Sequence, residues 1–284
     1  MCGNRCLEIV SFLAIALLLL AGCARTEVSY DLSTALMRST FKVAAEGLRG
    51  TVFVLERSSG EGAGTTCHVL ITAAHVLENV TGDSIELVLR KKTDGTYERL
   101  PFAIPIREEG KDLWVRHPKV DISAMYVDLP DQADVGRVST DRLANDDVFK
   151  KFEIHPGDEV MCLGYPGANE ANPAGFPILR SGKIASYPLL PSEQNEYFLV
   201  HMEVLSGDSG GPAYLCQRQR FYAGQTHQGP EALIVGVVGQ HRVIGGEKLC
   251  DGKTDKTPSL LLAKVIHAQF VKETVELLKP CESN

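Results

Sequence analysis

Gly207-Asp208-Ser209-Gly210-Gly211-Pro212 is the stretch on which the reading of this chain turns. A serine hydroxyl is a poor nucleophile. It becomes a good one only when it is exposed, next to a base, and next to N–H donors that can hold a developing oxyanion. Glycines on both sides of Ser209 let the backbone turn tightly and bring bare N–H groups toward a carbonyl. A plain surface turn uses the same residue types, so the hexapeptide gains meaning only from partners elsewhere in the chain.

Two such partners lie upstream. Leu70-Ile71-Thr72-Ala73-Ala74-His75-Val76 puts a histidine at the end of an apolar strand, beside small residues. Val120-Asp121-Ile122-Ser123-Ala124-Met125 puts one carboxylate at the head of another. A carboxylate in such a place is costly unless hydrogen-bonded. An imidazole N–H is its natural partner, because the acid then fixes the tautomer and stabilises the imidazolium. Asp112, ahead of Leu113-Trp114-Val115, is the rival acid; the His117-Pro118 turn leading into Asp121 favours Asp121.

TAAHV at 72–76, HPKVDISAM at 117–125 and GDSGGP at 207–212 together resemble the three signature regions of trypsin-like serine peptidases, in the family's order. GAG at 62–64, GYPG at 164–167 and SGKIAS at 181–186 add likeness to its compact bacterial members, over roughly residues 41–278. The resemblance implies an all-β, chymotrypsin-like fold of two antiparallel six-stranded barrels with the site in the cleft between them. It implies a serine endopeptidase in which Ser209 attacks, His75 shuttles the proton, Asp121 orients His75, and the N–H groups of Gly207 and Ser209 form the oxyanion hole. It implies no cofactor.

The chain also departs from the pattern. Val76 stands where animal enzymes often carry a cysteine. No IVGG-like sequence is present to supply a new N-terminus for the aspartate beside the serine. Asp208 must therefore find another partner, which points to a site formed without the usual zymogen cleavage or controlled by a partner. Glu203, six residues before Ser209, matches the base of the S1 pocket in trypsin and would favour Lys or Arg at P1; an outward-facing strand glutamate is the alternative. Val238 stands where glutamyl-specific relatives place a histidine, which disfavours acidic P1 residues.

The rest of the chain reads as short apolar or alternating runs punctuated by Gly, Asp, Asn and Pro, such as TVFVLE at 51–56, EVMCLGY at 159–165 and ALIVGVVG at 232–239. That pattern predicts many strands and no βαβ units. A turn-rich connection at 128–147 divides a first barrel (about 41–147) from a second (about 148–259). A C-terminal helix is expected over about 260–279, with Leu261, Val265, Phe270, Val271 and Val275 on one face and Pro280 ending it.

Ile9–Ala21 is an apolar run too short to span a bilayer, for which about 20 residues are needed. Preceded by Arg5, it reads as a secretory h-region within a signal peptide over 1–22. Leu20-Ala21-Gly22-Cys23 resembles a bacterial lipobox, which implies acylation at Cys23 and anchorage in the cell envelope. Ala24 after it implies the outer membrane if the cell is Gram-negative. Residues 23–40 would be a tether with a short helix. Cys67, Cys162, Cys216, Cys250 and Cys281 remain; an exported protein can keep disulfides, and Cys216 with Cys250 is the first pairing expected. There is no CxxC or HExxH, so no metal is expected. The net charge of −7 and the lack of a basic cluster argue against nucleic acid. The expected partners are a peptide or protein substrate and, through Cys23, a membrane.

Two other readings remain open. G-x-S-x-G also fits the nucleophile elbow of α/β-hydrolases, with Ser209, Asp255 and His267 in that fold's order. Gly210-Gly211-Pro212 is a poor helix start, however. The second is a catalytically silent or gated scaffold on the protease fold that binds an envelope partner.

Overall fold

The computed structural model describes residues 31–45, 48–58, 66–244 and 260–281. The predicted signal peptide, Cys23, Cys250 and Asp255 lie outside the described residues.

Helix α1 (Leu32–Ser39) opens the described chain, its first turn capped by the Asp31 carboxylate, which accepts the Thr34 N–H at 2.8 Å. Strands β1 (Thr40–Ala45), β2 (Leu48–Ser58) and β3 (Thr66–Thr72) follow, then the short helix α2 (Ala74–Glu78). Strands β4 (Ser84–Thr93) and β5 (Thr96–Pro105) make a hairpin whose turn residues, Asp94 and Gly95, both have positive φ. That is the geometry a two-residue hairpin demands and Asp-Gly supplies. The small strands β6 (Arg107–Glu108), β7 (Lys111–Asp112) and β8 (Val115–Arg116) lead into β9 (Ser123–Tyr126). Helix α3 (Asp146–Lys151) precedes β10 (Glu159–Gly164), β11 (Ile178–Ile184), β12 (Tyr197–His201), β13 (Pro212–Tyr222), β14 (Gln225–Ile244) and β15 (Leu260–His267); α4 (Ala268–Glu276) comes last.

The second half closes into one antiparallel barrel, ordered β10-β11-β12-β15-β14-β13. The first half is an open seven-stranded sheet, ordered β5-β4-β1-β2-β3-β9-β8, where a second six-stranded barrel was expected. Its two edges explain why it stays open. β8 is only two residues long, and β5 is a largely exposed edge carrying Glu98 and Arg99. Short and charged edges resist further pairing.

The sheet and the barrel share a core because the strands are buried on both faces. Along β2, Val52 and Val54 pack inside the sheet with Leu70, Leu87 and Leu89. The alternate residues Phe53 and Leu55 turn to the opposite side and meet Tyr214, Ile234 and Ile266 of the barrel. This period-2 division makes one strand serve two cores. Leu36 of α1 and Phe270 and Val271 of α4 complete the shared layer. Residues 32–39, expected within a tether, are therefore part of the folded unit.

The expected C-terminal helix begins later than its sequence implied. Residues 260–267 form β15, which pairs with both β12 and β14; only Ala268–Glu276 are helical. A continuous apolar run does not distinguish a fully buried strand from a buried helix. Here Ala263, Val265 and Ile266 fill a central barrel strand. The disulfide also differs from expectation: Cys67 is bonded to Cys281, with Cα atoms 6.1 Å apart, and Cys216 is a free thiol. It ties the segment after α4 to the start of β3. Arg57 reinforces it by donating to the Val275 carbonyl at 2.8 Å. Among the described residues no helix is long and apolar enough to cross a membrane.

Candidate active site

His75 sits in the first turn of α2, directly after β3. Ala73 and Ala74 before it are fully buried, and Ala73 packs in the core of the sheet. Its Nδ1 lies 2.6 Å from Oδ2 of Asp121, and its backbone N–H donates to Oδ1 of the same carboxylate at 2.9 Å. A carboxylate accepts, so Nδ1 carries the proton and Nε2 is left as the basic atom. Both side chains are about a quarter exposed, at 25%. Burial alone would raise the Asp121 carboxyl; the hydrogen bonds from the His75 ring and backbone outweigh it and hold the group below the usual carboxylate value.

Asp121 is presented by a turn that His117 organises. The ring Nδ1 of His117 accepts the N–H groups of Lys119 and Val120, each at 3.2 Å, and its Nε2 reaches Glu273 of α4 at 3.1 Å. The rival acid, Asp112, is exposed and bound to Arg107 at 2.9 Å.

Ser209 occupies the loop ahead of β13, and two glycines shape that loop. Gly207 has φ +102° and Gly210 φ +91°, which L side chains rarely adopt. A Cβ on Gly210 would also collide with Thr51 O and Thr72 Oγ1. Ser209 is thus held where the sheet meets the barrel. The Thr51 N–H donates to the Ser209 carbonyl at 2.9 Å, and the Thr51 hydroxyl donates to the Gly207 carbonyl at 2.6 Å. Thr72, three residues before His75, donates its hydroxyl to the Thr51 carbonyl at 2.7 Å. The Ser209 hydroxyl itself donates to the Gly239 carbonyl at 3.3 Å.

The N–H groups of Gly207 and Ser209 have no hydrogen-bond partner among the described residues. Their directions are fixed by the carbonyls across the same peptide planes. Ser206 C=O accepts from Gly167 N–H at 2.7 Å, and Asp208 C=O accepts from Gly211 N–H at 3.0 Å. In a trans peptide the N–H points opposite to the C=O, so each donor faces away from its anchor.

Asp208 is wholly buried and meets Arg180 of β11 through a two-pronged ion pair at 2.8 and 2.5 Å. Burial pushes the Asp208 carboxyl above its ordinary value, against the pull of the Leu205 N–H and of Arg180. Glu203 is exposed, and its backbone carbonyl is engaged by Arg180 at 2.9 Å. Val238 is buried in the strand beside the serine loop, exchanging backbone bonds with Gly210 and Gly211.

Sequence reasoning missed Thr51 and Arg180. Thr51 left no signal, because its role depends on a loop 156 residues away. Arg180 did leave one. In β11 it shares the less exposed face with Ile178, Gly182 and Ile184, and a charge on that face needs a partner. The α/β-hydrolase reading fails on the fold. Ser209 leads into a strand of an antiparallel barrel, not into a helix. His267 is buried between the rings of Phe149 and Phe198. Among the described residues, no group of three or more His, Cys, Asp or Glu is arranged to hold a metal ion.

No family model matches the sequence. No curated protein matches it either. Among solved structures, the chain is similar to Rv3671c from M. tuberculosis H37Rv, a crystal structure of a serine-to-alanine mutant in its inactive form. The identity is 18%, over 91% of this chain and 96% of that one, with a TM-score of 0.43. So loose a likeness carries neither fold nor function.

Proposed function

We propose that the protein is a serine endopeptidase with His75, Asp121 and Ser209 as its triad, and that the seven-stranded sheet and the barrel are the two halves of a chymotrypsin-like fold. The observation that carries this reading is the doubly anchored His75–Asp121 pair, which leaves Nε2 of His75 basic. In this reading Ser209 Oγ attacks the scissile carbonyl carbon as His75 Nε2 takes its proton. The carbonyl oxygen becomes an oxyanion bound by the N–H groups of Gly207 and Ser209. Collapse breaks the C–N bond, and the leaving amine takes the proton back from His75. Water then repeats the sequence on the acyl-enzyme and frees Ser209. A preference for Lys or Arg at P1 rests on the sequence position of Glu203 alone; its side chain is exposed, as the outward-facing alternative expects. The lipobox supports acylation at Cys23 and an envelope location, with proteins or peptides there as substrates.

A gated or silent scaffold is the second reading. It is favoured by the Ser209 hydroxyl donating to Gly239 and not to His75.

Fluorophosphonate labelling of the protein separates the two. Labelling of the wild type, lost in Ser209→Ala and His75→Ala and cut by roughly three to four orders of magnitude in rate in Asp121→Asn, is the result expected of a triad. A folded wild type that resists the reagent favours the scaffold. Radiolabelled palmitate incorporation, lost in Cys23→Ser, checks the anchor.

A further inference from the structure

We infer that His117 is a positioning residue: its ring, held in one tautomer by Glu273 of α4, fixes the turn that aims Asp121 at His75. This rests on the peptidase reading above and deepens it.

The chain from His117 to Ile122 doubles back within six residues. The His117 N–H donates to the Ile122 carbonyl at 2.9 Å and closes the two ends. Inside, the Ile122 N–H donates to the Val120 carbonyl at 3.0 Å, a three-residue turn with Asp121 at its apex. The N–H groups of Lys119 and Val120 are both taken by one atom, Nδ1 of His117, at 3.2 Å each. Val120 is thereby bound at its N–H by the ring and at its carbonyl by Ile122. Asp121 follows it directly, so the direction of its carboxylate depends on the ring.

An imidazole nitrogen accepts only when it carries no proton. The turn therefore requires His117 with its proton on Nε2 and none on Nδ1. Nε2 lies 3.1 Å from Oε2 of Glu273, and an ionised carboxylate can only accept, so this bond selects the tautomer the turn needs. Gln269, one helical turn earlier, steadies Glu273 by donating its amide to Oε1 at 2.8 Å. The helix that carries both is tied to the sheet. Arg57 of β2 donates to the Val275 carbonyl at 2.8 Å, and the Tyr126 hydroxyl of β9 to the Lys279 carbonyl at 2.7 Å. The His117 side chain is 4% exposed, and the Phe270 ring meets it edge-on with centroids 5.2 Å apart. With so little water at the ring, the opposite tautomer would face two N–H donors with a third.

The test compares the full wild-type chain with His117→Leu, His117→Asn, Glu273→Ala and the His117→Leu/Glu273→Ala double variant, using a peptide-ester substrate. Leucine keeps an apolar contact for Phe270 and removes the acceptor. Asparagine carries its amide oxygen on Cγ, where the imidazole carries Nδ1, and can take the same N–H groups. A misplacement of Asp121 by about 1 Å lowers kcat of folded His117→Leu by roughly 10²-fold, with KM changed much less. His117→Asn recovers most of that loss. A ring that only packs gives the reverse order, with leucine the better substitute; that order overturns the inference, as does wild-type kcat in His117→Leu. Glu273 acts only through the ring, so Glu273→Ala lowers kcat on its own and changes nothing further once His117→Leu is present. An equal factor in both backgrounds, or no effect in either, overturns the link to α4. The low-field proton resonance of the His75–Asp121 hydrogen bond reads the same geometry without turnover. It is expected in wild type and His117→Asn and is lost or shifted in folded His117→Leu; an unchanged resonance there overturns the inference. Should His117→Leu fail to fold, kcat and the resonance of Glu273→Ala, a change at a partly exposed helix position, decide in its place. A wild type that shows the resonance, loses it in His117→Leu and turns over no substrate would sink the peptidase reading while leaving His117 in its role.

Discussion

The hydroxyl of Thr51, on β2 of the open sheet, donates to the carbonyl of Gly207 at 2.6 Å, on the loop that enters the barrel. A second bond from the Thr51 N–H to the Ser209 carbonyl makes this one buried residue a bracket between the two halves of the molecule. The catalytic reading needs such a bracket, because the histidine and the serine come from different sheets.

Thr51→Val keeps the shape of the side chain and removes the hydroxyl. It leaves the Gly207 carbonyl without this partner, at a cost of about 1–3 kcal/mol. Chemical denaturation should report that loss, and fluorophosphonate labelling should slow by about tenfold or more, each 1.4 kcal/mol being a factor of ten. Thr51→Ser should restore both.

His267 sets a lower pH limit on stability. Burial, opposed only in part by Asp146 and by a bond with the Leu189 backbone, pushes its pKa from 6.5 down to about 4. The folded state therefore binds a proton less readily than the unfolded chain. The stabilisation is fully present above pH 6.5 and is lost as pH falls through 4. The shift corresponds to about 3 kcal/mol. Urea titrations of wild type and His267→Leu between pH 7 and pH 4 should differ in slope, the wild type losing stability faster.

Arg90 is fully buried, stacked between the Phe41 and Phe176 rings at 4.6 and 4.3 Å. It donates to the carbonyls of Gly175, Arg38 and Thr40 at 2.8, 3.0 and 2.9 Å. It thereby joins β4 to the chain around α1 and to the loop after β10. Arg90→Met fills most of the volume and strands these acceptors. Equilibrium unfolding should show a loss of at least about 2 kcal/mol, with Arg90→Lys falling between.

The Cys67–Cys281 bond closes a sequence separation of 214 residues. Replacing both cysteines by serine should cost about 2–4 kcal/mol, seen as a lower Tm that reductant no longer alters. Of the two described free thiols, Cys162 is buried and its pKa is pushed up to about 12 by desolvation, so it should resist alkylation in the native protein. Partly exposed Cys216 should react; mass spectrometry of the alkylated protein separates the two.

Much of this architecture is written locally. Turn chemistry and short apolar runs announced an all-β chain, and Asp94-Gly95 turns as its dipeptide dictates. The pairing of His75 with Asp121 was legible because an acid at the head of an apolar strand must find a donor, and a histidine at the end of another offers one. Where residues pack on both faces the pattern faded. The run at 260–267 is apolar throughout, so its periodicity could not tell a central strand from a helix. Of the two barrels expected, one closes among the described residues and the other half is a seven-stranded sheet; closure was not legible because it depends on how two edge strands meet and not on any one strand's alternation.

By itself the sequence singled out the serine, histidine and aspartate on which the proposed chemistry rests, since a nucleophile, a base and an acid each impose their own local surroundings. Only the tertiary structure decided what holds those surroundings together. Thr51 reaches Gly207 across 156 residues, Arg180 reaches Asp208 across 28, and Cys67 reaches Cys281 across 214. The first of these contacts joins the sheet to the barrel, the second joins two segments of the barrel itself, and the third joins a sheet strand to the segment after the last helix. Their partners are set by geometry after folding, and no local propensity encodes them.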